Sequence, residues 1–116
     1  SIGGIGQAVV IGDRRKFLTA LLTIDAEAGP VLASAKGWPK EPTAMAQSTE
    51  FKAHVQAGID RANQELARYE QIKRYTLIPI DFSVEGGELT PTQKVKRKVV
   101  NEKYGEAIEA LYASID

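Results

Sequence analysis

Gly86-Gly87-Glu88-Leu89-Thr90-Pro91-Thr92-Gln93-Lys94-Val95-Lys96-Arg97-Lys98 is a turn that runs into a basic segment opening the last helix. Gly86 and Gly87 accept positive φ, and Pro91 fixes its own φ and forbids a regular strand through itself. Thr92-Gln93 leads out to Lys94, so one lysine stands on a stiffened loop. Four of the five residues from Lys94 to Lys98 are cationic. A rigid loop with that charge suits an anionic ligand, because backbone amides and ammonium groups can converge on phosphate or carboxylate oxygens. The same residues also read as a solvated turn before a helix, since basic runs on helix faces are common.

Working outward, Val99, Tyr104, Ala107, Ile108, Leu111 and Ile115 trace the buried stripe of a closing helix, which Gly105 kinks or weakens. Upstream, Tyr75 to Ile80 reads as a strand whose Pro79 puts its end at an edge or bulge, with Phe82-Ser83-Val84 continuing beyond the bend. Ser48-Thr49-Glu50 caps the clearest helix, whose stripe is Phe51, Val55, Ile59, Ala62 and Leu66; Gly58 in its middle hints at close packing. His54 has no second ligand at metal spacing. Trp38-Pro39-Lys40-Glu41-Pro42 is a connector, with Trp38 packing on its own domain. Asp25 starts and Gly37 ends a short helix that admits Pro30 in its first turn. Ala8–Ile11 and Phe17–Ile24 read as two strands of a hairpin. The glycines of Ser1-Ile2-Gly3-Gly4-Ile5-Gly6 precede a strand instead of following one, which is the wrong context for a nucleotide loop. The order ββα, α, β, loop, α predicts a small α+β sandwich, a three-stranded sheet covered by helices.

A chain of 116 residues is one domain with a modest core, here spanning 1–116. Lys+Arg and Asp+Glu stand at 15 each, so no global field favours nucleic acid or an anionic membrane, and a basic site must be local. Residues 89–104 supply it: Lys94, Lys96, Arg97, Lys98 and Lys103 face only Glu102. The absence of cysteine excludes disulfides, thiolate metal sites and cysteine nucleophiles, and no metal site is expected. No apolar run approaches the roughly 20 residues that span a bilayer, and a cytoplasmic location is expected.

Glu85-Gly86-Gly87-Glu88-Leu89-Thr90-Pro91-Thr92-Gln93-Lys94-Val95-Lys96-Arg97 resembles the last motif of the adenylate-forming, AMP-binding acyl-CoA synthetases. Leu-Thr-Pro-Thr, a bulkier residue and then Lys is the long-chain fatty acid CoA ligase wording, where shorter-acid relatives usually have Gly before the lysine. Gly12-Asp13-Arg14-Arg15-Lys16-Phe17-Leu18-Thr19-Ala20-Leu21-Leu22-Thr23-Ile24-Asp25 is similar to the family's upstream strand pair. Ile72-Lys73-Arg74-Tyr75, Lys103-Tyr104 and Leu111-Tyr112 also fit, so the likeness runs from about Gln7 onward.

The resemblance implies a C-terminal lid domain of a larger enzyme, inactive alone. It implies ATP, Mg2+ and coenzyme A as cofactors or substrates of the whole enzyme, with none bound by this domain by itself. A long-chain fatty acid is the other substrate, and the enzyme's own N-terminal adenylation domain, absent here, is the partner. The family's lysine bridges the acyl carboxylate and the α-phosphate region while the adenylate forms; the lid then swings to line the thioester-forming site. Carried onto this chain, that lysine is Lys94, on a loop of Gly86, Gly87, Thr90, Pro91 and Thr92. Arg14, Arg15 and Lys16 are candidates for coenzyme A phosphates. Peripheral membrane association of the whole enzyme stays open. Gln93, where the family more usually has an apolar residue or Gly, bears on loop rigidity. The competing reading is a non-enzymatic module whose segment 94–98 docks an acidic partner or nucleic acid. Against nucleic acid, no stacking aromatic lies between Leu89 and Lys103.

Overall fold

A computed structural model of the protein describes residues 2–12 and 15–113. The chain divides into two compact units, Ser1–Asp81 and Phe82–Asp116. In the first, β1 (Ile5–Ile11), β2 (Leu18–Ile24) and β3 (Ile72–Ile78) form one sheet in the order β1-β2-β3. β1 pairs antiparallel with β2, as a hairpin must, while β3 pairs parallel with β2. A parallel neighbour cannot be reached by a tight turn. The crossover is made by α1 (Ala28–Lys36), α2 (Pro42–Gln47) and α3 (Thr49–Asn63).

The apolar run of β2 makes it the buried centre. Ala20, Leu22 and Ile24 share one face of the strand, and they form a core with Ala33 of α1, Met45 of α2 and Phe51, Val55 and Ile59 of α3. Asp25 begins the descent into α1 by accepting the amides of Glu27 and Ala28, both at 2.8 Å. Gly37, at φ 75°, ends it. Ser48 Oγ accepts the Phe51 amide at 3.2 Å and caps α3. Trp38 packs inside its own unit, edge-on to Phe51 at 6.4 Å. His54 stacks on Phe51 and is bonded through Nε2 to the Gly3 carbonyl at 2.9 Å, a packing role. Gly58 faces Ile2, so its close approach is real.

Where β1 slips register between Ile5 and Ala8, the Gln7 amide turns to the Thr23 hydroxyl at 2.8 Å. That hydroxyl donates onward to Asp81 Oδ1 at 2.6 Å, so a fully buried threonine in the central strand is satisfied on both sides.

The expected α+β class and three-stranded sheet stand; several boundaries differ. The connector's end is helical: Pro42 sits at the first position of α2, and Glu41 Oε2 accepts the Ala44 amide at 2.9 Å. α3 stops at Asn63, so Leu66 lies beyond it, and Ala62 and Leu66 are both exposed and off the buried stripe. β3 starts three residues earlier than Tyr75, because the Asn63 side chain bonds the Ile72 amide and carbonyl, each at 2.9 Å. It ends before Pro79, and residues 82–84 are not a strand.

In the second unit, α4 (Arg97–Lys103) and α5 (Gly105–Ala113) replace one continuous helix, with the break at Tyr104, φ −112°, beside the glycine that the sequence marks as weak. Val100 and Ile108 are its buried helical residues, and Val99 is only half-buried. Ile115 lies outside the described residues.

A β-carbon on Gly29 would stand 2.6 Å from Cγ2 of Ile24, a core side chain with little room to retreat. Gly29→Ala gains at most about 1 kcal/mol of helix propensity, less in a first turn, and overpacking of this kind costs about 1–3 kcal/mol. The substitution is expected to lower the urea midpoint. A raised midpoint would mean that the α1–β2 contact is loose.

Candidate functional site

The lysine segment is a small hairpin of the second unit. Leu89 bridges Val95 in antiparallel fashion, and the Lys96 amide donates to the Glu88 carbonyl at 2.7 Å. At the tip, the Gln93 amide closes a turn onto the Thr90 carbonyl at 2.7 Å. Pro91 and Thr92 occupy the turn's centre, and Gln93 follows with φ 64°, a turn ended by a left-handed residue. Thr90 then holds Lys94 from both sides: its amide donates to the Lys94 carbonyl at 2.8 Å and its Oγ1 accepts the Lys94 amide at 3.0 Å. The Thr92 hydroxyl lies 3.1 Å from that of Thr90. The Lys94 side chain itself is exposed.

Thr90, Pro91, Thr92 and Lys94 are thus brought together as the sequence suggests. Gly86 and Gly87 belong instead to the turn beneath the hairpin, for different reasons. Gly87 takes φ 89°. At Gly86 the need is space: a β-carbon would stand 2.5 Å from Glu88 Oε1 and 2.9 Å from Ser83 Oγ.

Glu88 is the residue that reading the sequence misses. It is 2% exposed, accepts the Ser83 amide through Oε1 at 3.0 Å and forms an ion pair with Lys103 through Oε2. Burial pushes its carboxyl up, but the bonds from Lys103 and Ser83 outweigh burial and hold it below its ordinary value. The same contact raises Lys103, whose desolvation works the other way. The signal was there: a carboxylate 15 residues before a lysine, in a segment with two glycines to fold it back. Lys103 is therefore not part of the open basic segment, and Lys94, Lys96 and Lys98 are its exposed lysines.

Lys96 caps α4 without a side-chain bond, and the first turn of α4 holds no acid. Cations here oppose the helix dipole, a cost of about 0.3–1 kcal/mol each at an exposed terminus. Among the coenzyme A candidates, Arg14 lies outside the described residues, Arg15 is half-buried and Lys16 is exposed. Among the described residues, no three acidic, His or Cys side chains cluster to hold a metal, and no helix is long and apolar enough to cross a membrane.

Residues 3–116 match the family model described as the AMP-binding enzyme C-terminal domain. The chain is 40% identical over 116 residues to the long-chain-fatty-acid–CoA ligase FadD15 of Mycobacterium tuberculosis, covering 93% of this chain and 18% of that protein. It is 33% identical to the mouse long-chain-fatty-acid–CoA ligase ACSBG2, covering 95% of this chain and 19% of the relative. Among solved structures, the A-PCP didomain of the carboxylic acid reductase from Segniliparus rugosus, in complex with AMP, superposes with a TM-score of 0.67 at 29% identity. It covers 97% of this chain and 14% of that one. The chain thus spans about a fifth of the length of the curated relatives.

Two measurements test the hairpin's construction. In the left-handed region a β-carbon costs roughly 1–2 kcal/mol, so Gln93→Gly is expected to be neutral to stabilising and Gln93→Val to destabilise by about 1–2 kcal/mol in urea unfolding; equal midpoints would deny the positive φ. For the ion pair, ionised Glu88 contributes stability that is full above the ordinary glutamate range and is lost as pH falls through its lower folded value. Protonated Lys103 contributes stability that is full below the ordinary lysine range and is lost as pH rises through its higher folded value. The expected profile is a plateau from roughly pH 5 to 10, with both flanks flattened in Glu88→Gln. Unchanged flanks in that variant would remove the pair from the stability of the domain.

Proposed function

This chain belongs to the family of AMP-binding enzyme C-terminal domains, and on that premise we propose that it is the lid of an ATP-dependent long-chain fatty acid CoA ligase, a single functional domain with Lys94 as the adenylation lysine. The observation that carries the reading is the pinned backbone of Lys94: amide and carbonyl are both fixed to Thr90 while the ammonium is left exposed. The cations that load the start of α4 against its dipole add to it, because folding alone favours acids there.

In the proposed reaction a carboxylate oxygen of the fatty acid attacks the α-phosphorus of ATP, the α–β bridge breaks and pyrophosphate leaves. Two anions must meet for this to happen. Lys94 stands between them, offsets their repulsion and neutralises charge that builds in the transition state. A rigid hairpin fixes where the stem begins, and the flexible stem lets a compact charge settle between two groups of oxygens. The adenylation domain holds ATP and Mg2+. The lid then turns, withdrawing Lys94, and the coenzyme A sulfur attacks the acyl carbonyl with AMP leaving.

The test is Lys94→Ala in the full-length enzyme, with both half-reactions followed in single turnovers. Adenylation is expected to fall by about a hundredfold or more, the scale of one lost preorganised contact. Thioester formation from supplied acyl-adenylate is expected to survive. Lys96→Ala and Lys98→Ala are the controls. Equal losses in both half-reactions, or across the three lysines, would reduce Lys94 to a docking charge. The domain alone is expected to exchange no pyrophosphate.

A further inference from the structure

Glu88 is a buried acid with no part in the reaction proposed above, and both ends of α4 are tied to it. Its carbonyl accepts the amide of Lys96, the residue that caps α4, at 2.7 Å, and its Oε2 pairs with Lys103, the last residue of that helix. Helical side chains lean toward the N-terminus, which lets Lys103 reach back along the roughly 10 Å that seven residues rise. The other carboxylate oxygen takes the Ser83 amide at 3.0 Å, and the Leu89 amide donates to the Ser83 carbonyl at 3.2 Å. Glu88 is thereby clamped between the turn before the hairpin and the helix after it.

The ribbon that carries Lys94 is short. Beyond the Glu88–Lys96 rung stand only the Leu89–Val95 bridge and the Thr90–Lys94 rung, and then the turn. A two-stranded ribbon of this length is marginal in water by itself, and a slip of one residue would set Gln93 or Val95 opposite Thr90 in place of Lys94. The register therefore needs a hold outside the ribbon. Stability alone does not call for a buried ion pair, because apolar residues of similar volume serve as well; the best-attested use of such a pair is to fix a register. We propose that Glu88 and Lys103 are positioning residues for Lys94: by tying α4 to the base of the hairpin they fix the rung from which the lysine stem starts, and so govern the adenylation step but not the later transfer to coenzyme A. This rests on Lys94 being the adenylation lysine. Lys103, a cation of the basic segment by sequence order, then acts on the reaction through the backbone and not through its own charge.

The test is made in the full-length ligase, with single turnovers of each half-reaction and urea unfolding to show that each variant is folded under assay conditions. Glu88→Gln keeps the shape of the side chain and an acceptor for the Ser83 amide but removes the charge that holds Lys103; Lys103→Met removes the other partner. In both, the adenylation rate at saturating ATP and fatty acid is expected to fall by about ten- to a hundredfold, the scale of an ångström's misplacement. The KM values for ATP and fatty acid, and thioester formation from supplied acyl-adenylate, should stay as they are. Lys103→Arg keeps the pair and should restore most of the rate. Because Glu88 acts through Lys94, adding Glu88→Gln to Lys94→Ala is expected to cost nothing more. Hydrogen exchange over residues 88–96 should quicken in Glu88→Gln and not in Lys103→Arg. An unchanged adenylation rate in Glu88→Gln and Lys103→Met overturns the proposal, as do equal losses in both half-reactions or losses that multiply with that of Lys94→Ala. Should Lys94→Ala itself leave adenylation intact, the role of the lysine fails instead, and the exchange of residues 88–96 still decides whether the pair sets the register.

Discussion

Burying a carboxylate costs several kcal/mol unless its oxygens are paired and bonded, and Glu88 meets that condition with nothing to spare. One oxygen takes the Ser83 amide, the other takes Lys103, and its backbone carbonyl takes the Lys96 amide. Three segments therefore meet at one residue: the glycine turn before the hairpin, the returning arm after it and the last residue of α4. Removing Lys103 would leave a buried carboxylate without its ion-pair partner. The ion pair is directional, whereas the apolar burial of Leu89, Val100 and Ile108 is not. The ion pair fixes the register of the hairpin against α4, and Lys94 takes its place from that register.

How much of this was legible follows from the range over which each signal acts. Ser48 and Gly37 cap their helices and Asp25 opens the turn that leads to α1, whose first residue is Ala28; each governs hydrogen bonds within a few residues, so each could be read directly from the sequence. The continuous apolar run of β2 announced a buried strand for the same reason. Its parallel pairing with β3 did not, since a crossover is decided by how α1 to α3 pack. α2 was hidden because a Pro-rich connector and a helix with Pro at its first position begin alike. Ala62 and Leu66 continued the spacing of α3, but the helix ends at Asn63, whose side chain bonds Ile72, and periodicity cannot see a side chain reaching nine residues ahead.

The candidate site divides in the same way. Its stiffness was legible, because Pro91 and the threonines act locally on their own turn. The charge count was not: sequence order groups Lys103 with the open cations, and the fold pairs it with Glu88. The role proposed for Lys94 draws on resemblance as well as on the pinned backbone, as a stiff loop with a lysine suits many anions. Gln93 ties the two kinds of reading together. Its positive φ is a conformation that favours glycine, and this chain carries a bulkier residue there as a single left-handed step.

A chain with equal numbers of acids and bases has no net charge with which to draw anions from afar. Its cations act within about 8–10 Å at physiological salt, so their value depends on where the backbone holds them. Lys94 sits at the end of a turn whose backbone is fixed by the Thr90 side chain. A flexible loop with the same lysines would have to be ordered at the moment of binding, at roughly 1–2 kcal/mol per residue, more than an exposed ion pair returns. Fixing the turn in the fold moves that cost to folding. Local charge on a rigid turn is thus the form in which a neutral domain can act on a phosphate.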